Sequence, residues 1–143
     1  MAKVEIENQK LIPTVNFMYN LKLARKQSRF RRHFINLLNE RLKRYEDDRK
    51  ELLEEHANKD ADGKPIINDN QYDIKDMAAL DKDLKELNKE KLVIEGGDNR
   101  EMIRTIKQVL IKFENEEYEG QESEIYDYLC EQFKVDEEGE DNE

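Results

Sequence analysis

The sequence predicts an α+β domain that is mainly helical, with about five helices, a short two-stranded ribbon and an acidic C-terminal tail. Three observations carry this expectation. Apolar residues recur at steps of three and four along most of the chain, the spacing of amphipathic helices. Two short segments, "KVEIE" at Lys3 to Glu7 and "KLVIEGGD" from Lys91, have the length and apolar content of strands. Periodicity then stops after Phe133, and "VDEEGEDNE" from Val135 has too little apolar surface to order itself. A chain of 143 residues suits one domain, expected over residues 1–133, with 134–143 as the acidic tail.

The elements follow in order. Lys3 to Glu7 alternates polar and apolar residues and reads as a strand. Leu11, Val15, Met18 and Leu21 mark a first helix, near Leu11 to Leu23, in which Pro13 is tolerated because it lies in the first turn. Ser28 is the expected N-cap of a longer helix. Phe30, Phe34, Leu37, Leu38, Leu42, Tyr45 and Leu52 form its stripe, which runs to about Glu55. The turn formers of "NKDADGKPIINDN", Asn58 to Asn70, predict a loop with one brief edge strand at Ile66-Ile67.

Helix resumes from Asp76 to Glu90, with Met77, Leu80, Leu84 and Leu87 on one face. Leu92 to Glu95 is the second strand, closed by Gly96-Gly97. Asp98 and Glu101 have the spacing of a capping box ahead of a helix bearing Ile103, Ile106, Leu110 and Phe113. A last helix, Glu122 to Phe133, is expected to bury Ile125, Leu129 and either Tyr126 or Phe133. Pairing of the two strands requires a covering helix, since an isolated ribbon is marginal; the first or fourth helix is the expected cover.

Composition narrows the function classes. Hydrophobic residues make up 36% and charged residues 42%, which is low apolar content for a globular domain. No apolar run is long enough for a membrane span, and Met1 to Glu5 has no signal-peptide character. The single cysteine, Cys130, allows neither an internal disulfide nor a thiolate zinc site and suits a reducing cytoplasm. The net charge of -10 is unevenly spread: residues 1–50 hold 13 basic and 6 acidic side chains, residues 51–143 hold 12 and 29. From Glu114 onward there are 14 acidic residues against one lysine, Lys134.

Each candidate chemistry has a bland counterpart. Asn58, Asp60, Asp62 and Gly63 fit the opening of an EF-hand calcium loop, but the last ligand position falls on Asp69 and Pro65 lies where paired loops normally meet. Turn formation accounts for the same residues, so no metal is expected. His33 and His56 have no ligand spacing. Cys130, beside Leu129, reads as a small buried thiol. No nucleophile elbow, phosphate loop or dinucleotide fingerprint is present, and the expected class is non-enzymatic, without catalytic residues or cofactor.

Two charged patches remain. Arg25, Lys26, Arg29, Arg31 and Arg32 crowd the start of the long helix, where they oppose the macrodipole and so call for partners. With the whole chain acidic, direct nucleic-acid binding is disfavoured, and pairing with the protein's own acidic C-terminal part or across a subunit interface is expected instead. Glu116, Glu117 and Glu119 precede the last helix, while Glu124, Asp127 and Glu131 fall three and four apart along it, on the side opposite Ile125 and Leu129. Their bland role is solubility; their functional role is to present carboxylates at fixed spacing to a groove built for phosphates.

The segments "IENQKLIPTVNFMYNLKL", "SRFRRHFINLLNE", "YDIKD" and "EIYDYLCEQF" resemble, in that order, a family of small uncharacterised proteins from tailed phages and prophages of Gram-positive bacteria, domain of unknown function 1617. The resemblance implies synthesis in the cytoplasm of an infected bacterium from genes lying among late tail and lysis genes, and it implies no catalytic residues. Combined with the charge pattern, it leads to an expected phage accessory protein that binds a host or phage protein, in the sharper form an acidic antagonist of a host or defence protein that handles nucleic acid. The alternative is a tail-assembly or virion-associated structural protein. A homo-oligomer is kept as a further option, and no membrane partner is expected.

Overall fold

A computed structural model describes residues 3–137. Strand β1, Lys3–Glu7, leads through a 3-10 turn, Asn8–Lys10, into α1, Leu11–Tyr19, and then α2, Arg25–His56. A small hairpin, β2 Ile67–Asn68 with β3 Gln71–Tyr72, precedes α3, Met77–Lys89. Strand β4, Lys91–Glu95, α4, Gly97–Lys112, and α5, Gly120–Gln132, complete the described chain.

The expected ribbon forms: β1 pairs antiparallel with β4, Val4 opposite Ile94 and Ile6 opposite Leu92. Alternation places Val4, Ile6 and Ile94 in the core. Glu5, on the other face, accepts salt bridges from Lys3 at 3.2 Å and Lys91 at 3.3 Å. The ribbon rests on α5 through β1 and on α4 through β4, so the cover is the fourth and fifth helices. The first helix packs instead between α2 and α5.

Helix α4 is the centre of the domain, with Met102, Ile103, Ile106, Val109 and Leu110 all buried. Against it lie Phe34 and Leu38 of α2 and Leu129 of α5. Phe34 meets Phe133 edge-on, centroids 5.5 Å apart, the arrangement the ring quadrupoles favour. The C-terminal half of α2 leaves this core and packs on α3. Buried Asn8 joins the two regions: its Nδ2 donates to Leu87 O at 2.8 Å, and its Oδ1 accepts from Arg41 Nε at 3.0 Å.

Several boundaries differ from those the sequence predicts. Helix α1 stops at Tyr19 rather than Leu23, because Arg31 Nη1 donates to the carbonyls of Met18 (3.2 Å), Tyr19 (3.4 Å) and Leu21 and so satisfies the helix end. Ser28 is not a cap: α2 starts at Arg25, with extended Ala24 as its N-cap, and the Ser28 N–H donates to Ala24 O at 3.4 Å. The turn into the helix is made by the backbone, with Arg25 at φ +47°.

The Asp98–Glu101 box is absent too. Gly96, at φ +101°, caps α4 one residue before Gly97, a conformation that glycine tolerates best. Asp98 stays in the first turn, where its charge suits the dipole. The single edge strand expected near Ile66-Ile67 is a hairpin, reversed by Asp69 and Asn70 at φ +51° and +64°, a turn that short Asx side chains accept. Met77 is exposed rather than on the buried stripe.

At the last helix, Phe133 is buried and Tyr126 half-buried. Lys134 at φ +55° stops α5, the Val135 N–H donating to Cys130 O at 3.0 Å and the Lys134 N–H to Glu131 O at 3.2 Å, the double bond of a Schellman stop. Val135 packs against the core, so residues 134–135 belong to the helix end rather than to the acidic tail, of which residues 138–143 lie outside the described residues.

Candidate functional site

Helix α5 presents its acidic residues from a firmly anchored backbone. Ile125 and Leu129 are buried beneath it, while Glu124, Asp127 and Glu131 are all exposed, as the steps of three and four require. Tyr126 OH donates to Leu110 O at 2.7 Å, and Tyr128 OH accepts the Glu7 N–H at 3.0 Å. Tyr118 stacks on Tyr126 at 4.9 Å, with Phe17 edge-on to Tyr118 at 5.4 Å. This aromatic trio holds the turn that carries Glu116, Glu117 and Glu119, which are exposed as well.

None of the six forms a salt bridge among the described residues. Carboxylates three and four apart on a helix lie about 5–6 Å from one another at Cβ, so the row carries concentrated, unneutralised negative charge. Neighbouring groups feel it: burial first, then Glu116 and Glu122, push the Tyr118 hydroxyl pKa up. Cys130 is raised by burial, with Asp127, Asp136 and Glu114 adding to the shift against the opposing influence of its contact with Tyr126. That is the opposite of the depression that activates a thiol.

The basic cluster is divided among several tasks. Lys26 Nζ lies 2.6 Å from Glu101 Oε1, and this contact holds the Glu101 carboxyl below its ordinary value. Arg31 is spent on the end of α1. The Arg29 guanidinium sits 5.3 Å from the Phe30 ring centroid, a cation–π distance. Arg25 and Arg32 are exposed and make no salt bridge among the described residues. Internal pairing therefore runs to the N-terminal part of α4, at Glu101, and none of the five pairs with the α5 carboxylates as expected from the charge of the C-terminal part. Phe30 packs on the core and is not free to stack on a base.

A second acidic surface was not anticipated. Asp48, Glu51 and Glu55 of α2 face Asp83, Glu86 and Glu90 across a groove of about 380 Å³ floored by Leu52 and Leu87. The spacing on each helix was visible, but their juxtaposition depends on α2 packing against α3. His56 Nε2 lies 2.7 Å from Asp83 Oδ2 at the end of this groove. His33 meets Phe30 edge-on at 5.5 Å.

In the Asn58–Asp69 loop, Asp60 Oδ1 accepts the Asp62 N–H at 2.9 Å and the Lys64 N–H at 3.0 Å. Its carboxylate thus fastens a turn, with Gly63 at φ +78°. No group of three or more histidine, cysteine or acidic side chains is placed to hold a metal among the described residues. Nor is any described helix long and apolar enough to cross a membrane.

A family model described as "Protein of unknown function (DUF1617)" matches residues 2–140. No curated protein and no solved structure matches the chain.

Proposed function

The chain belongs to the DUF1617 family, and on that premise we propose that it is a non-enzymatic accessory protein of a tailed phage or prophage of Gram-positive bacteria. It acts by binding another protein in the cytoplasm of the infected host. The acidic side of α5 is the binding face, and its target is a host or defence protein that handles nucleic acid. The observation that supports this reading is the exposed row Glu124, Asp127 and Glu131, without a salt bridge among the described residues, on a helix fixed at both tyrosines. A groove evolved for phosphates accepts carboxylates only when their spacing is held, since charge alone attracts without selecting.

The test is a pull-down with tagged protein from infected cells, comparing the wild type with Glu124→Lys/Asp127→Lys/Glu131→Lys. The captured nucleic-acid-handling protein should be lost with the triple reversal while the helical circular dichroism is kept. An unchanged set of captured proteins sinks the reading. Mass spectrometry of purified virions separates it from the tail-assembly or virion role: stoichiometric presence in particles would favour the structural alternative.

A further inference from the structure

Helix α2 carries two stripes. One, with Phe34 and Leu38, is wholly buried in the core. About a quarter turn away, a second borders a groove of about 580 Å³ formed with Ile12 of α1 and lined along α2 by Leu42, Tyr45, Glu46, Arg49, Lys50 and Leu53. Ile12 is 52% exposed, and Leu42 and Leu53 are only half-buried. Glu46, Arg49 and Lys50 form no salt bridge among the described residues, not even Glu46 with Lys50 one turn along. The groove thus offers apolar surface at both ends and unmatched charges of both signs between them.

The order of these residues selects the occupant. Along α2 the row reads apolar at Leu42, acidic at Glu46, basic at Arg49 and Lys50, apolar at Leu53. Turned end for end about an axis between Asp47 and Asp48, it matches itself: Leu42 falls on Leu53, Glu46 on Arg49 and Tyr45 on Lys50. A parallel copy would set Glu46 against Glu46 and Arg49 against Arg49, which is repulsive. A purely basic or purely acidic partner would satisfy one sign and leave the other unpaired.

We propose that the protein self-associates as a two-fold dimer in which α2 of each copy lies antiparallel in the Ile12–Leu42–Leu53 groove of the other. Such an isologous contact uses one patch twice, each residue meeting its complement in both directions. Asn36, Asn39 and Glu40 border an adjoining groove that shares Leu42 and Glu46, and they supply the polar rim that such interfaces carry. The acidic groove toward α3 lies on the other flank of α2 and stays open.

Sedimentation equilibrium of the full chain over a rising concentration series tests this, with circular dichroism to establish that each variant is folded. The wild type should pass from monomer to dimer. Glu46→Lys alone, and Arg49→Glu with Lys50→Glu, should each abolish the dimer by setting like charges together. The triple variant carrying all three changes should recover it, because the signs match again in the antiparallel register. A wild type that is monomeric throughout, a dimer indifferent to Glu46→Lys, or a triple variant that stays monomeric would each overturn the inference. None of these positions lies on α5, so the result is independent of the partner captured by that helix.

Discussion

The Tyr128 hydroxyl on α5 accepts the backbone N–H of Glu7, at the end of β1, over 3.0 Å, joining the last described helix to the first strand across 121 residues of sequence. The contact fixes how α5 sits on the ribbon and hence where its carboxylates point. Burial raises the Tyr128 pKa, against the opposing effect of the hydrogen bond from the Glu7 N–H. Tyr128→Phe removes the acceptor and keeps the ring. A partly buried N–H left without a partner costs about 1 kcal/mol, which should show as a lower urea midpoint at unchanged slope.

Two neighbouring arginines should behave differently. Arg31 satisfies carbonyls at the end of α1, so Arg31→Ala should cost about 1–3 kcal/mol, as for hydrogen bonds from a charged donor. Arg32→Ala, at an exposed site without a salt bridge among the described residues, should stay within about 0.5 kcal/mol of wild type. Equal losses in chemical denaturation would contradict the division of roles in the basic cluster. With Lys26 and Arg31 occupied, little duplex or single-strand binding is expected at physiological salt in a fluorescence-anisotropy titration. Tight binding lost on charge reversal at Arg29 and Arg32 would make the patch a nucleic-acid site.

Acid should weaken the contact between α2 and α4. The Lys26 ammonium bonded to Glu101 lowers that carboxyl pKa from the ordinary 4.5. A group depressed on folding contributes its full stabilisation above the unfolded value and loses it as pH falls through the folded value. The effect therefore lies below about pH 4.5 and is small, because both side chains are well exposed. Glu101→Gln should flatten this part of the stability–pH curve; a curve identical to wild type between pH 5 and 3 would deny the pair any energetic role.

Core position decides the cost of truncation on α2. Leu38 is fully buried, and Leu38→Ala should cost about 2–5 kcal/mol. Leu42 is half-buried beside the groove, so the same change there should cost less than at Leu38. Reversal of that order in denaturant melts would mean that the groove is closed in solution.

Calcium should leave the thermal midpoint where it is. Asp60 already accepts two backbone N–H groups, and Asp60→Ala should lower the midpoint equally with and without calcium. A saturable rise on adding calcium, abolished by Asp60→Ala, would turn this loop into a metal site.

The sequence by itself determined which faces are buried. Steps of four at Phe34 and Leu38 and at Ile125 and Leu129, and of seven at Leu80 and Leu87, mark stripes that are buried in the fold, because burial of a helix face is a property of local geometry. The alternation of Val4 and Ile6 marks β1 in the same way, and Asp76, at the start of its predicted helix, caps α3 by accepting from Ala78 N and Ala79 N. The exposure of Glu124, Asp127 and Glu131 follows from the same spacing. Tertiary structure alone decided which polar groups meet. Glu101 had a local role available as a capping-box partner, and Lys26 takes it instead. Arg31 is one of five similar cations, and only the angle between α1 and α2 brings it to the carbonyls of Met18 and Tyr19. Long charged side chains have many partners of nearly equal energy in an isolated helix, and packing of the helices removes all but the few within reach. The same reason hid the α2–α3 acidic groove and the Ile12–Leu42–Leu53 surface, since each is assembled from helices that the chain brings together only on folding.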